Sequence, residues 1–269
     1  MVDDADAMQA HYALGQERDR LITRARGVLE AVRTKEIALR HLPDPPATIA
    51  DIGGGPGHNA VWLAGLGYRV EHRDLMPLHV AQPREECRRE IRTAVADARD
   101  LDLADASVDA VLLLGPLYHL RRREDRLRAL GEARRVVRPG GPVLVAAISR
   151  WAPRLDGELR LRLYERYPQV RAETTRVERT GWLPPLFPGS FTGYCHRPRQ
   201  LRAELRDAGL SVLDLVAVEG MAFMLADLDE RMNDPRAREV VLDAARALER
   251  VPELLGAGGH LPAVAKRLN

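Results

Sequence analysis

The stretch IADIGGGPGHNA, residues 49–60, places Gly53, Gly54, Gly55 and Gly57 between two apolar runs, just after Asp51. Glycine loses more conformational freedom on folding than any other residue. A chain concentrates it where the backbone must turn sharply or be approached closely. The run before the glycines, TIADI (48–52), reads as a short apolar strand, and the run after them, HNAVWLAGLG (58–67), as a helix stopped by glycine. Strand, glycine turn and helix in that order point to an α/β architecture with a parallel sheet.

The rest of the chain supports this. YRVEHRD (68–74), IRTAVAD (91–97), SVDAVLLLG (107–115) and PVLVAAIS (142–149) read as strands, and residues 123–137 as a helix closed by RPGG. Residues 11–40 read as a helix carrying Leu14, Leu21, Ala25, Val28 and Val32 on one face, which the prolines of HLPDPPA then end. Residues 151–168 suggest a short helix, and the stretch after them is aperiodic and rich in proline, glycine and aromatics. A helix over 197–210, a strand over 211–220, a helix over 235–250 with Asp234 as cap and Pro235 at its first turn, and a last strand over 260–268 complete the pattern. The expected organisation is a helical N-terminal arm (1–46) and one domain (47–269) with cap insertions at about 150–195 and 226–257. The sheet is doubly wound, with ligands at the carboxyl ends of its strands.

Composition narrows the function classes. The 269 residues are 45% hydrophobic, but the best apolar run, AVLLLGPLY, falls well short of a membrane span. The first twenty residues are acidic and polar, unlike a secretory signal, and Cys87 and Cys195 lack any CxxC spacing. A reduced, cytoplasmic protein is expected. Charge is abundant at 30% but balanced at +2, which argues against a nucleic-acid binder, and HLRRRED (119–125) reads as a solvated helix start.

Two nucleotide classes compete for the glycine turn. GPGHNA (55–60) matches the dinucleotide form GxGxxA, with Asp74 nineteen residues past Gly55 as ribose acid. The fuller reading is D-x-G-x-G-x-G over Asp51, Gly53, Gly55 and Gly57. An acid there repels a pyrophosphate and attracts a cation. S-Adenosylmethionine (SAM) carries a sulfonium, an amino group and adenosine, and no phosphate. Asp74 then suits the ribose hydroxyls and Asp97 the adenine amino group, although an aspartate at a strand end also serves as a turn residue.

With these pieces, ADIGGGPG, VEHRDLMP, VADARDLDLADASVDAVLLLGPLYHL and ALGEARRVVRPGGPVLVAAIS, the chain resembles the class I SAM-dependent methyltransferases over residues 48–149. GPLYHL, ISRWAP and YCHRPRQL resemble small-molecule methyltransferases of actinobacteria. The resemblance implies a Rossmann-like, doubly wound, mostly parallel sheet of seven strands with the last antiparallel. It implies SAM as cofactor, held by Asp51, Gly53, Gly54, Gly55, Gly57, Asp74, Leu75, Asp97, Ala98, Leu114 and Gly115. From the arm, Tyr12 and Arg33 are candidates to close over it, with a solvated arginine as the alternative for Arg33.

Methyl transfer from sulfonium is an in-line displacement that rests on positioning and, for some acceptors, on a base. His119 is the first candidate base, Tyr118 a wall or hydrogen bonder, and His196 a second histidine. Each also has a purely structural alternative. Aromatic and methionine side chains from 151–194 and 221–224 are candidates to wall an acceptor or to pack the cap. No His/Cys/Asp/Glu cluster has metal-ligand spacing, so no metal is expected. The expected function is methyl transfer to O or N of a small molecule. An NAD-dependent oxidoreductase and a SAM-binding protein without transfer remain the alternatives. No nucleic acid or membrane is expected as partner, and a homodimer is left open.

Overall fold

The strand β4 (Ala110–Leu113) is buried at all four positions, as a strand must be when helices cover both faces of its sheet. It belongs to a sheet that also holds β1 (Thr48–Ile52), β2 (Arg69–Asp74), β3 (Ile91–Val95) and β5 (Pro142–Ser149). These five lie in the order β3-β2-β1-β4-β5, every pair parallel. The computed structural model describes residues 23–81, 90–187 and 190–268.

Two further strands, β8 (Leu210–Leu215) and β9 (His260–Arg267), extend the sheet beyond β5, with β9 in the middle. Arg267 N–H donates to Gly141 O at one end of β5 and Ser149 N–H to Gly259 O at the other, so β9 runs antiparallel to β5. Pro262 lies inside β9, where its carbonyl accepts from Val216 N–H but its ring nitrogen supplies no donor in return.

Among the described residues the sheet has nine strands rather than the expected seven. The additions are β6 (Trp182–Leu183) and β7 (Gly193–His196), an antiparallel pair, with β7 parallel to the end of β5. Both come from the aperiodic stretch, and strands of two and four residues are too short to show a period. The helices are α1 (Ala25–Leu39), α2 (His58–Gly65), α3 (Pro77–Ala81), α4 (Pro116–His119), α5 (Arg123–Val136), α6 (Val170–Thr180), α7 (Pro198–Asp207), α8 (Leu228–Asn233) and α9 (Pro235–Leu248). Asp234 caps α9 by accepting from Ala237 N–H at 2.7 Å, as expected. The short helix expected at 151–168 is a π-helix over Pro153–Arg160 followed by a 3-10 turn, and α6 and α8 were not foreseen.

The chain divides into two compact units. One comprises Ala38–Ala146, Leu201–Asp214 and the chain from Ala263. Its core joins Ile49, Val111 and Val143 of the sheet with Leu63, Leu130, Leu201 and Leu205 of the helices, all fully buried. Within it Arg126 of α5 grips Glu204 of α7 with two hydrogen bonds, 2.9 and 2.7 Å, and donates to the carbonyls of Leu120 and Arg121. The basic run is thus solvated at Arg121–Arg123, whereas the arginine just after it is buried and ties down the loop behind His119.

The other unit comprises the described residues up to Ile37, Ala147–Gln200 and Leu215–Pro262. Leu29 of α1 packs with Leu228 and Met232 of α8 and with Val241 and Leu242 of α9. Val177, Leu183 and Cys195 form a second cluster.

Candidate active site

The glycine loop lies at the carboxyl end of β1, beside the loop that follows its neighbour β4. The two loops meet backbone to backbone. A Cβ on Gly115 would lie 2.8 Å from Gly53 O, and one on Gly53 would meet Pro116 Cγ at 2.5 Å. This contact sets Tyr118 and His119 on a segment packed against the glycine loop. Each glycine has its own reason. Gly55 adopts φ +56 with nothing within 4 Å of its would-be side chain, so its backbone faces open space. At Gly54 a Cβ would lie 2.6 Å from Asp51 Cγ and 2.7 Å from His72 Nδ1, so only hydrogen fits between the loop and the strand residues beneath it.

Asp51 is fully buried, and neither carboxylate oxygen has a hydrogen-bond partner among the described residues. A buried carboxylate in that condition calls for a cation or a donor from outside. That fits the ammonium and sulfonium of SAM and opposes a pyrophosphate.

Asp74 ends β2. Gly55 N–H donates to its Oδ2 at 2.9 Å, Met76 N–H to its Oδ1 at 2.8 Å, and His79 Nδ1 lies 3.1 Å from Oδ1. Burial pushes this carboxyl up, but the bonds from His79 and the two amides outweigh it and leave it below the usual aspartate range. Asp74 therefore braces the glycine loop, with His79 orienting it. Asp97 is held in a fork by Arg99, whose Nε lies 3.0 and 3.1 Å and Nη2 2.6 Å from its oxygens, and it too is held below the usual range. Sequence reasoning did not foresee that Arg99 occupies the carboxylate meant for adenine. Leu75, Ala98 and Leu114 flank these groups in sequence.

The rings of Tyr118 and His119 meet edge to face, 4.7 Å apart at 63°. His196 belongs to the other unit, at the end of β7, fully buried with its ring 4.8 Å from that of Tyr194. Arg33 is neither solvated nor open to a ligand through its terminal nitrogens. It is fully buried, with Nη1 on Glu36 and Nη2 on Glu249, because α1 packs that face inward. Tyr12 and Cys87 lie outside the described residues. Sequence spacing showed no metal cluster, but the fold gathers Glu30, Glu219 and His260 so that one ligand atom of each lies within 4.8 Å of the others. Glu219 there accepts from His260 N–H at 3.1 Å and lies 2.6 Å from its Nδ1. Also unforeseen was His72, the register partner of Asp51. The alternation along β2 held the signal, since it puts His72 on the same face as Asp74.

The methyltransferase domain family matches residues 50–145, which hold the end of β1, all of β2 to β4, the first half of β5 and both loops. The chain is 40% identical over 114 residues to the ubiquinone/menaquinone biosynthesis C-methyltransferase UbiE of Acidiphilium cryptum, covering 40% of this chain and 45% of that relative. It is 30% identical over 244 residues to the malonyl-[acyl-carrier protein] O-methyltransferase of Methylococcus capsulatus, covering 84% of this chain and 76% of that relative. The chain thus spans under half of the first relative and about three quarters of the second. Among solved structures, the 1,6-didemethyltoxoflavin-N1-methyltransferase of Burkholderia thailandensis, with bound S-adenosylhomocysteine, shares the fold. Its TM-score is 0.58 at 16% identity, over 100% of this chain and 88% of that one. Domain family and relatives agree on SAM as cofactor and on methyl transfer as the chemistry. The chain belongs to the class I SAM-dependent methyltransferases.

Proposed function

We propose that this methyltransferase acts on a nucleophilic oxygen or nitrogen of a small molecule, in specialised metabolism. The observation that carries the reading is the place of His119, on the short helix whose leading residues Gly115 and Pro116 pack against Gly53. An O–H or N–H acceptor must lose its proton as the methyl group arrives, and imidazole is the side chain suited to take it near neutral pH. SAM supplies an electrophilic methyl group on a sulfonium. His119 accepts the acceptor's proton or orients its lone pair, and Tyr118 walls the same loop. Gly53, Gly54, Gly55 and Gly57 present backbone to the cofactor with Gly115, and Asp51 faces its cationic end. Asp74 serves the ribose hydroxyls, Asp97 serves adenine once the Arg99 fork opens, and Leu75, Ala98 and Leu114 line the adenosine. His196 is the second candidate for the acceptor.

The segments at about 150–195 and 226–257 serve as acceptor cap, and residues 1–46 as an arm. Among the described residues no helix is long and apolar enough to cross a membrane. Together with the balanced charge, this supports a cytoplasmic enzyme with a dissolved acceptor, acting on neither nucleic acid nor membrane. A homodimer is left open. The relative named for O-methylation supports transfer to a heteroatom.

The test is incubation with methyl-labelled SAM and a panel of phenols, carboxylic acids and amines, followed by location of the label. Label on oxygen or nitrogen is expected, and label on carbon overturns the reading. His119→Ala should lower kcat by about 10²- to 10⁴-fold with little change in SAM affinity, the usual range for a lost acid–base group. Unchanged turnover removes His119 from the chemistry.

A further inference from the structure

A histidine lies beneath the glycine loop, and the family reading gives it no task. His72 of β2 stands opposite Asp51 of β1 in register, so their side chains share one face of the sheet. Both residues are fully buried. Nδ1 of His72 lies 3.5 Å from Oδ2 of Asp51, near enough for charge to act but beyond ordinary hydrogen-bond length. Among the described residues, neither oxygen of Asp51 nor either ring nitrogen of His72 has a hydrogen-bond partner. The loop covers the pair with Gly54, where a Cβ would lie 2.7 Å from His72 Nδ1. Four polar atoms are thus buried together without hydrogen-bond partners among the described residues, directly under the cofactor loop. Groups so placed tend to neutralise one another or to await a partner.

We propose that His72 is a positioning residue for Asp51, and that the protonation state of this carboxylate–imidazole pair sets the affinity for the cationic methionine end of the cofactor. The proposal rests on the SAM reading above. With the imidazole neutral, the pair carries one negative charge, which attracts the ligand's ammonium from beneath the loop. With one more proton the pair is neutral, and the attraction is lost. Binding on the acid side therefore releases a proton, and affinity falls by up to about tenfold per pH unit as pH drops.

Other titratable groups surround the pair. Asp74 shares the face of β2, with His79 of α3 upon it at 3.1 Å. Glu71 and Arg73 alternate to the opposite face, where Arg73 bonds Asp102 and Glu71. From β3 the register partner of His72 is Thr93, which carries no charge. His58 opens α2 beyond the loop. His79 and His58 would act on any adenosine ligand, whereas the Asp51–His72 pair would sense only a ligand with an ammonium.

That difference defines the experiment. S-Adenosylhomocysteine and 5′-methylthioadenosine share the adenosine and the thioether, and only the first has the ammonium and carboxylate. The full chain is titrated with each by calorimetry between about pH 5.5 and 7.5, with proton release read from buffers of different ionisation enthalpy. The homocysteine ligand should lose at least about tenfold in affinity toward the acid end, and the methylthio ligand less than about threefold. His72→Asn should flatten the first profile to match the second, and Asp51→Asn should weaken and flatten it at every pH. Parallel profiles for the two ligands, or an undiminished slope in His72→Asn, overturn the proposal and leave the cofactor reading standing. If neither ligand binds at any pH, the cofactor reading falls with it. If His72→Asn does not fold, the contrast between the two ligands in the unaltered protein decides.

Discussion

Replacing Gly54 by alanine adds one methyl group where the structure has no room for it. The new Cβ would overlap Asp51 Oδ2 and lie 2.6 Å from Asp51 Cγ and 2.7 Å from His72 Nδ1, against about 3.4 Å for ordinary contact, so the loop must rise by about 1 Å. The two neighbours cannot yield instead, because both are fully buried and held in the β1–β2 ladder. Overpacking of this kind costs about 1–3 kcal/mol. The displaced loop should also weaken cofactor binding about tenfold or more, since about 1.4 kcal/mol is a factor of ten. Gly55→Ala is the control. Its Cβ would meet nothing within 4 Å, and its cost is the left-handed strain at φ +56, about 1–2 kcal/mol. The assay is urea unfolding and titration with S-adenosylhomocysteine, each repeated in a His72→Ala background. Removing the imidazole opens space, so Gly54→Ala should couple to His72→Ala by about 0.5–3 kcal/mol, whereas Gly55→Ala should add independently. Additivity for Gly54→Ala within about 0.5 kcal/mol would refute the steric argument.

The buried pair Arg126–Glu204 should behave as a unit: Arg126→Met or Glu204→Leu alone destabilises by about 3–5 kcal/mol, and the double variant recovers most of the loss in urea unfolding. Equal losses in single and double variants would count against a paired role. Asp74 and Asp97 both titrate below their ordinary value of about 3.9, so their stabilisation is complete above it and drains away as pH falls through their depressed native values. Melting temperatures at acid pH should therefore drop less in Asp74→Asn/Asp97→Asn than in the unaltered protein, from a lower start, and an identical acid slope would refute the assignment. Burial pushes the Cys195 thiol up to about 12, so in a Cys87→Ser background the native protein should resist iodoacetamide at neutral pH and react once unfolded. Rapid labelling of the folded protein would show that β7 opens.

Patterns local in the chain were legible from the sequence, because they follow from backbone sterics and burial over a few residues. The apolar runs at 48–52 and 142–149 are β1 and β5 as read, the glycine turn stands between strand and helix, and Asp234 caps α9. The order of those elements already implied a parallel sheet with its ligand at the carboxyl ends of the strands. What stayed hidden depends on contacts between residues distant in the chain. β6 and β7 exist only through pairing with each other and with β5, so no period announced them. Arg33 and Arg126 look like solvated helix arginines until Glu249 and Glu204 arrive from 216 and 78 residues away. His72 acquires meaning only from the register that sets it against Asp51, and Arg99 only from the turn that folds its fork onto Asp97. Charge and hydrogen bonding depend on distance in space. The sequence therefore determined that a cofactor-binding α/β sheet forms, and the tertiary structure decided which of its charged groups remain open to a ligand.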